Sequence, residues 1–240
     1  LEALAAFKAA PVDLVALKQA RTHVHQAAGA IQMVGLDAVV AYTDEIERQL
    51  GRLEELAGPD AQLACVPIDR ACRKLRIFLA ELVGGSPPVP LKLFPEYEAM
   101  QRVRGIKAAA PTDLFFPDLA PRAPKLSTPQ AIPAAKLPSY MVKQRRQYQR
   151  GLLAWLRRDD DGAKTMRDAI AAIEDATTHQ NLRAFWWTAG ALFDALNERG
   201  LEGGFGVKQL AARIDLQIRR VVEGSAKVAD RLRREVLYYV

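Results

Sequence analysis

Within the segment HVHQAAGAIQMVGL, residues 23–36, one histidine has surroundings suited to chemistry. An imidazole nitrogen kept in solvent can attack phosphorus, provided the next helical turn leaves room for a partner's active site to close over it. His25 precedes Gly29 by four residues and Gly35 by ten. At about 100° per residue, Leu17, Ala20, Val24, Ala27, Ala28, Ile31 and Val34 form one apolar stripe. His25 points about 120° from the middle of that stripe, on a face shared with Lys18, Thr22, Gly29 and Gln32. His23 falls near the edge of the stripe and is expected to be half-buried. The same spacing also describes an inert histidine on the surface of a bundle, and both readings stand at this point.

Other reactive groups are sparse. Cys65 and Cys72 are the two cysteines; on a helix they lie about 10 Å apart along its axis, too far for a disulfide. No CxxC or HExxH cluster occurs among two cysteines and three histidines, so no metal and no cofactor are expected. A glycine-rich phosphate loop, a GHKL-type ATP site, a receiver-like acidic cluster and a Ser-His-Asp arrangement are all missing from the sequence. This chain is therefore not expected to be an enzyme by itself. His179 falls at a helix boundary, where capping or exposure is expected. Phe185, Trp186, Trp187 and Phe193 crowd one helix, and an outward Trp186 would be a partner contact, as would Phe115 and Phe116 of DLFFP.

The elements that must position these residues read as helical. Eleven of the fourteen prolines fall between Pro87 and Pro138, and proline neither continues a helix nor donates to a sheet. Two helical blocks, 1–85 and 140–240, are thus expected on either side of a Pro-rich extended connector, 86–139. A short helix is expected at 96–107, and the connector's aromatics imply that it packs along the domains. Helices are expected over 1–10, 12–34, 37–57 and 67–83, with Pro11 at a start and Gly35 and Gly58-Pro59 as stops. In the second block they are expected over 140–158, 162–178, 181–199, 206–223 and 225–240, punctuated by Gly200, Gly203–Gly206 and Gly224. Short connections between amphipathic helices favour antiparallel four-helix bundles.

The net charge of +6 is uneven: nine Lys and Arg against eleven Asp and Glu in 1–85, seven against four in 86–139, and eighteen against thirteen in 140–240. The C-terminal cations are interleaved with acids and accompany no zinc-finger or RNP pattern, so nucleic acid is not an expected partner. No apolar run approaches the roughly 18 residues of a membrane span, and membrane insertion is not expected. The chain starts at leucine without a basic-then-apolar leader, so the expectation is an excised piece of a cytoplasmic protein.

His25, Gly29, Gly35 and Leu36 stand where histidine phosphotransfer (Hpt) domains carry histidine, x, x, lysine, glycine and then glycine-apolar at the helix end. The longer strings QARTHVHQAAGAIQMVGLDAVVAYTDEIERQL, RRQYQRGLLAWLRRDDD, RAFWWTAGALFDAL and VKQLAARIDLQIRRVVEGSAKVADRLRREVLYYV resemble the N-terminal region of CheA-type hybrid histidine kinases of type IV pilus and twitching systems (ChpA/PilL-like). The resemblance covers nearly the whole chain. It implies two Hpt-like antiparallel four-helix bundles, with His25 as the candidate phosphoacceptor. It also implies Gly29 clearing the docking surface and Glu47, with Asp44 one turn earlier, as the acid that orients the imidazole. The pattern's lysine is Ala28 here, which removes a cation suited to a phosphoryl group. Sliding the first block along the second sets Gly190 on Gly29 and Trp186 on His25, so the second bundle is expected to be a degenerate copy without a phosphoacceptor.

These observations imply a (pseudo-)phosphotransfer module of a chemotaxis-like two-component kinase, acting mainly as a docking and localisation scaffold. Its implied partners are response-regulator receiver domains, polar or pilus scaffold proteins and the rest of the parent kinase. An active phosphorelay from His25 to a CheY-like receiver is one alternative, and a generic all-helical adaptor is another.

Overall fold

A computed structural model describes residues 1–10, 13–56, 58–106, 109–119, 123–124, 132–159 and 161–240. Among these residues the chain is all-helical, with ten α-helices and two short 3₁₀ turns and no strand. It divides into two compact units, 1–116 and 117–240. No helix among the described residues is long and apolar enough to cross a membrane.

In the first unit, α1 (Glu2–Ala9), α2 (Leu14–Met33), α3 (Asp37–Leu53) and α4 (Gly58–Val83) pack in chain order around a ring that α4 closes against α1. Asp13 caps α2, its carboxylate accepting from the Val15 and Ala16 amides at 3.0 and 3.1 Å, the arrangement that satisfies helix-start donors. Pro11, the expected start signal, lies outside the described residues. The helix ends in a Schellman motif: the Leu36 amide reaches Ile31 O at 3.4 Å and the Gly35 amide reaches Gln32 O at 3.0 Å. Gly35 there takes φ +74°, which costs a residue without Cβ little. Leu17, Tyr42, Ile46, Leu50, Leu53 and Ile68 form the centre of the core, and the Tyr42 hydroxyl donates to Ala71 O at 3.1 Å, tying α3 to α4.

Two expectations fail in this unit. The first is the start of α4, which begins at Gly58 and carries Pro67 in its interior. Ala61, Cys65, Ile68, Ala71, Leu75 and Phe78 are buried on both sides of the proline, so a continuous apolar stripe outweighs the one hydrogen bond that the ring removes. The second is the extended connector. Its first part folds into a 3₁₀ turn at Pro90–Leu93, helix α5 (Phe94–Val103) and a second 3₁₀ turn at Pro111–Leu114. Leu93, Tyr97, Met100 and Leu114 are buried in the same core as α1–α4.

The second unit contains α6 (Leu137–Leu156), α7 (Asp161–Asp175), α8 (Gln180–Asn197), α9 (Phe205–Val222) and α10 (Asp230–Tyr239). Its five helices contact one another in the ring order α6, α7, α8, α10, α9 and back to α6, where a four-helix bundle was expected. A Cβ on Gly151 would stand 2.8 Å from Gly162 O and Met166 N, so glycine lets α6 and α7 cross closely. The Tyr148 hydroxyl donates to Ala211 O at 2.8 Å, joining α6 to α9. Helix α10 begins later than expected, and in the loop before it Gln217 Nε2 of α9 donates to Lys227 O at 2.9 Å. Of the remaining connector, Leu119 lines a small cavity of about 20 Å³ with Phe185, Thr188, Arg233 and Leu237.

Candidate functional site

Helices α2 and α3 bring the sequence-predicted residues of the first unit to one face. The His25 side chain is 75% exposed, and its Nδ1 lies 3.2 Å from Glu47 Oε2. A hydrogen on Nδ1 would be donated to this carboxylate, and the exposed ring would then carry its lone pair on Nε2. Glu47 is itself held, its Oε1 lying 3.6 Å from Arg21 Nε, while Arg21 Nη1 reaches Glu54 at 3.5 Å. A Cβ added at Gly29 would meet nothing within 4 Å. The turn beyond His25 is therefore clear, and packing within the unit does not require a glycine there. Asp44 is exposed.

Ala28, in the place of the pattern's lysine, is buried on the inward side of α2. The cation paired with Glu47 beside His25 is Arg21, one turn before the histidine rather than three residues after it. Its signal was available in the sequence: four residues separate Arg21 from His25, which is one helical turn. His23 differs from expectation. It is exposed, on the rim of an apolar groove of about 310 Å³ lined by Leu4, Ala20, Val24, Leu75 and Leu79.

The aromatic residues need correction. Trp186 is fully buried in the second core, stacked edge-on to Phe185 at 4.8 Å, and is no surface contact. Its indole N–H finds no acceptor among the described residues. The neighbouring Trp187, about 100° further round the helix, is the outward one at 38% exposure. Of the DLFFP stretch, Leu114 is core, Phe115 is half-buried and Phe116 is 41% exposed. At the two positions that the register aligns, Trp186 is buried and His25 is exposed. Gly190 also differs from Gly29, because a Cβ there would press on the Arg167 guanidinium at 3.2 Å. His179 stands at the N-cap position of α8 without a side-chain capping bond.

One cluster escaped the sequence reading. Glu45 is fully buried on α3 and accepts from Arg48 Nη1 at 2.6 Å, Gln49 Nε2 at 2.9 Å, Gln101 Nε2 at 3.1 Å and Arg104 Nη1 at 2.8 Å. Gln49 also donates to Met100 O at 2.8 Å. The last two donors to Glu45 belong to α5 and the residue that ends it, so this carboxylate fastens the supposed connector to the bundle. A signal existed: Glu45 falls in register with Tyr42, Ile46 and Gln49, the inward stripe of α3.

Burial sets the titration of several groups away from this face. It pushes the Cys72 thiol up to about 11 and raises the Cys65 thiol, so neither is poised as a nucleophile. Among the described residues no group of three His, Cys, Asp or Glu could hold a metal ion.

Comparison with known proteins places a family likeness on the second unit. Residues 133–240 match the family model described as the FimL scaffold protein second domain. The scaffold protein FimL of Pseudomonas aeruginosa is 27% identical over 187 residues, covering 75% of this chain and 33% of that protein. That stretch is longer than the second unit alone, so the similarity reaches into the first. The chain spans about a third of the length of this curated relative. No solved structure matches.

Proposed function

We propose that this chain is a docking scaffold in a type IV pilus-related signalling system, built on an Hpt-like first unit that has kept its docking face without efficient phosphotransfer. Likeness to a scaffold protein over three-quarters of the chain supports the scaffold role, and that is the observation carrying it. The ring of α1–α4 is the Hpt-like bundle. Its open Gly29 turn on α2 is the surface for a receiver domain or a polar scaffold protein. The second unit is a helical docking module in its own right, without a phosphoacceptor. The buried Ala28 supports a docking role over transfer, since a phosphoryl group on His25 would lack the charge-assisted lysine bond worth roughly 1.5–3 kcal/mol.

A specific observation favours an active relay as the second reading. Glu47 Oε2 stands 3.2 Å from His25 Nδ1, the contact that a ring with its lone pair on Nε2 would use, and the Arg21 guanidinium lies 3.6 Å from the same carboxylate. In that reading Nε2 attacks the γ-phosphorus of ATP bound in a kinase core, the N–P bond forms as the P–O bond breaks, and ADP leaves.

The two readings separate when the chain is incubated with an active chemotaxis-type kinase core and labelled ATP, beside a His25→Gln variant. The kinase is supplied in trans, so the outcome does not depend on the flanking chain. The scaffold reading expects no stoichiometric labelling and receiver binding that survives His25→Gln but weakens in Gly29→Gln, whose bulk fills the open turn. Rapid acid-labile labelling that vanishes in His25→Gln and falls in Glu47→Ala would establish the relay instead. Receiver and scaffold-protein binding unaffected by Gly29→Gln would remove this face as the docking surface.

A further inference from the structure

A second charged feature lies in the second unit, where a cleft of about 440 Å³ is lined by Arg158, Arg199 and Lys208, with Trp155 in its wall. The three cations come from three places in the fold: just past the end of α6, just past the end of α8, and the first turn of α9. None of the three makes an ion pair among the described residues, while Arg145, Arg167, Arg213, Arg219 and Arg231 of this unit do. Among the described residues one carboxylate, Asp159, shares the lining. Its Oδ1 already accepts from the Asp161 amide at 3.1 Å.

The two arginines are held there at a conformational cost. Both α6 and α8 end in Schellman motifs: the Asp159 amide reaches Ala154 O at 3.1 Å and the Arg158 amide reaches Trp155 O at 2.9 Å. The Gly200 amide likewise reaches Ala195 O at 2.9 Å and the Arg199 amide reaches Leu196 O at 3.2 Å. The left-handed position of each motif normally belongs to glycine, yet Arg158 sits at φ 67° and Arg199 at φ 59°. In α8 a glycine is the very next residue and does not take the position. Compensation of the helix dipoles does not explain this choice, because an arginine in the last turn or at the cap, as Arg157 is, serves the dipole without positive φ.

We propose that this cleft is a binding site for a small phosphate-bearing polyanion, with Arg158, Arg199 and Lys208 as its charge-assisted donors. Guanidinium groups suit phosphate oxygens because they donate in a planar fork. The cleft's size lies within the range of small-molecule sites. It is closed on one side by the 200–204 loop, where a Cβ on Gly203 would stand 2.7 Å from Trp155 Cζ2. A concave volume between helix ends favours a compact anion over an extended acidic peptide. Inorganic pyrophosphate and a nucleoside diphosphate share the required chemistry.

Calorimetric titration of the whole chain with pyrophosphate, with ADP and with an oligoglutamate peptide, at one ionic strength, tests the site. Saturable one-to-one binding of pyrophosphate is expected, and tighter binding of ADP would assign a nucleoside to the Trp155 wall. Arg158→Gly and Arg199→Gly should each weaken binding by about tenfold or more while raising the melting temperature by a few degrees. A purely structural pair of arginines would not produce opposite changes of that kind. Asp159→Asn should tighten binding, Lys208→Gln should weaken it, and Arg220→Gln on the outer face of α9 should leave it unchanged. Failure of pyrophosphate and ADP to saturate, or binding that ignores all three cations, would overturn the proposal. Binding of the peptide alone would do so too.

Discussion

At the scale of single residues, the face around His25 is informative because it is not optimised for folding. Gly29 lies inside a twenty-residue helix with open space around it, and interior glycine costs about 1 kcal/mol relative to alanine. Gly29→Ala should therefore raise unfolding free energy by about 1 kcal/mol, read from urea denaturation; a loss of stability would mean that the turn is not open. A second residue carries a pH signature. Desolvation raises the Glu174 carboxyl above its ordinary range, with Arg183 opposing the shift. A group raised in the folded state contributes stability that is present at low pH and is lost as pH rises through its folded value. Glu174→Gln should therefore melt higher than the parent at neutral pH, with the difference fading below about pH 4, where the carboxyl is protonated folded or unfolded. Equal melting temperatures at both pH values would show that Arg183 cancels the cost of burial.

At the scale of elements, legibility followed how much of a signal was local. The bounds of α2 were readable because the stripe, the glycine stop and the exposed histidine face all lie within one helix. Helix α4 was misread at Pro67 because proline is a strong local signal, whereas the Ala61 and Cys65 burial that overrides it depends on partners distant in sequence. Which of Trp186 and Trp187 faces out was not legible for a related reason: adjacent aromatics on a helix differ by about 100°, and only the packing of α7 and α10 against α8 tells which faces in. Arg21 and Glu47 lay within reach of sequence reasoning. The Glu45 cluster was less so, because Gln101 and Arg104 lie more than fifty residues away. Removing that carboxylate takes the shared acceptor from two arginines and two glutamines; both arginines keep access to water, so the loss is that of charge-assisted hydrogen bonds, roughly 1.5–3 kcal/mol. Glu45→Ala should lose that much in denaturant unfolding and expose the amides of α5 to hydrogen exchange before those of α3. Uniform exchange across both helices would mean that the cluster does not fasten α5.

At the scale of the whole molecule, the decisive feature is where the first unit stops. Proline density suggested an end near residue 85, yet the compact unit runs to Phe116, because prolines at 90, 95 and 111 start short helical turns instead of breaking the fold. Leu93, Tyr97, Met100 and Leu114, all buried, belong to the 31 residues beyond that point. Burial of such side chains is worth roughly 2 kcal/mol each, so the four together, about 8 kcal/mol, are as large as the 5–15 kcal/mol that stabilises an ordinary domain. Truncation at residue 85 would also strip Gln101 and Arg104 from Glu45, leaving a buried carboxylate with only its two neighbours on α3. A fragment of residues 1–116 should unfold cooperatively with dispersed amide resonances. A fragment of residues 1–85 should keep helical circular dichroism but lose cooperative melting and bind a hydrophobic dye, the signature of helices without fixed packing. If 1–85 melted as sharply as 1–116, the helix Phe94–Val103 would be an ornament on a complete bundle. The Glu45 cluster would then need a role other than holding the unit together.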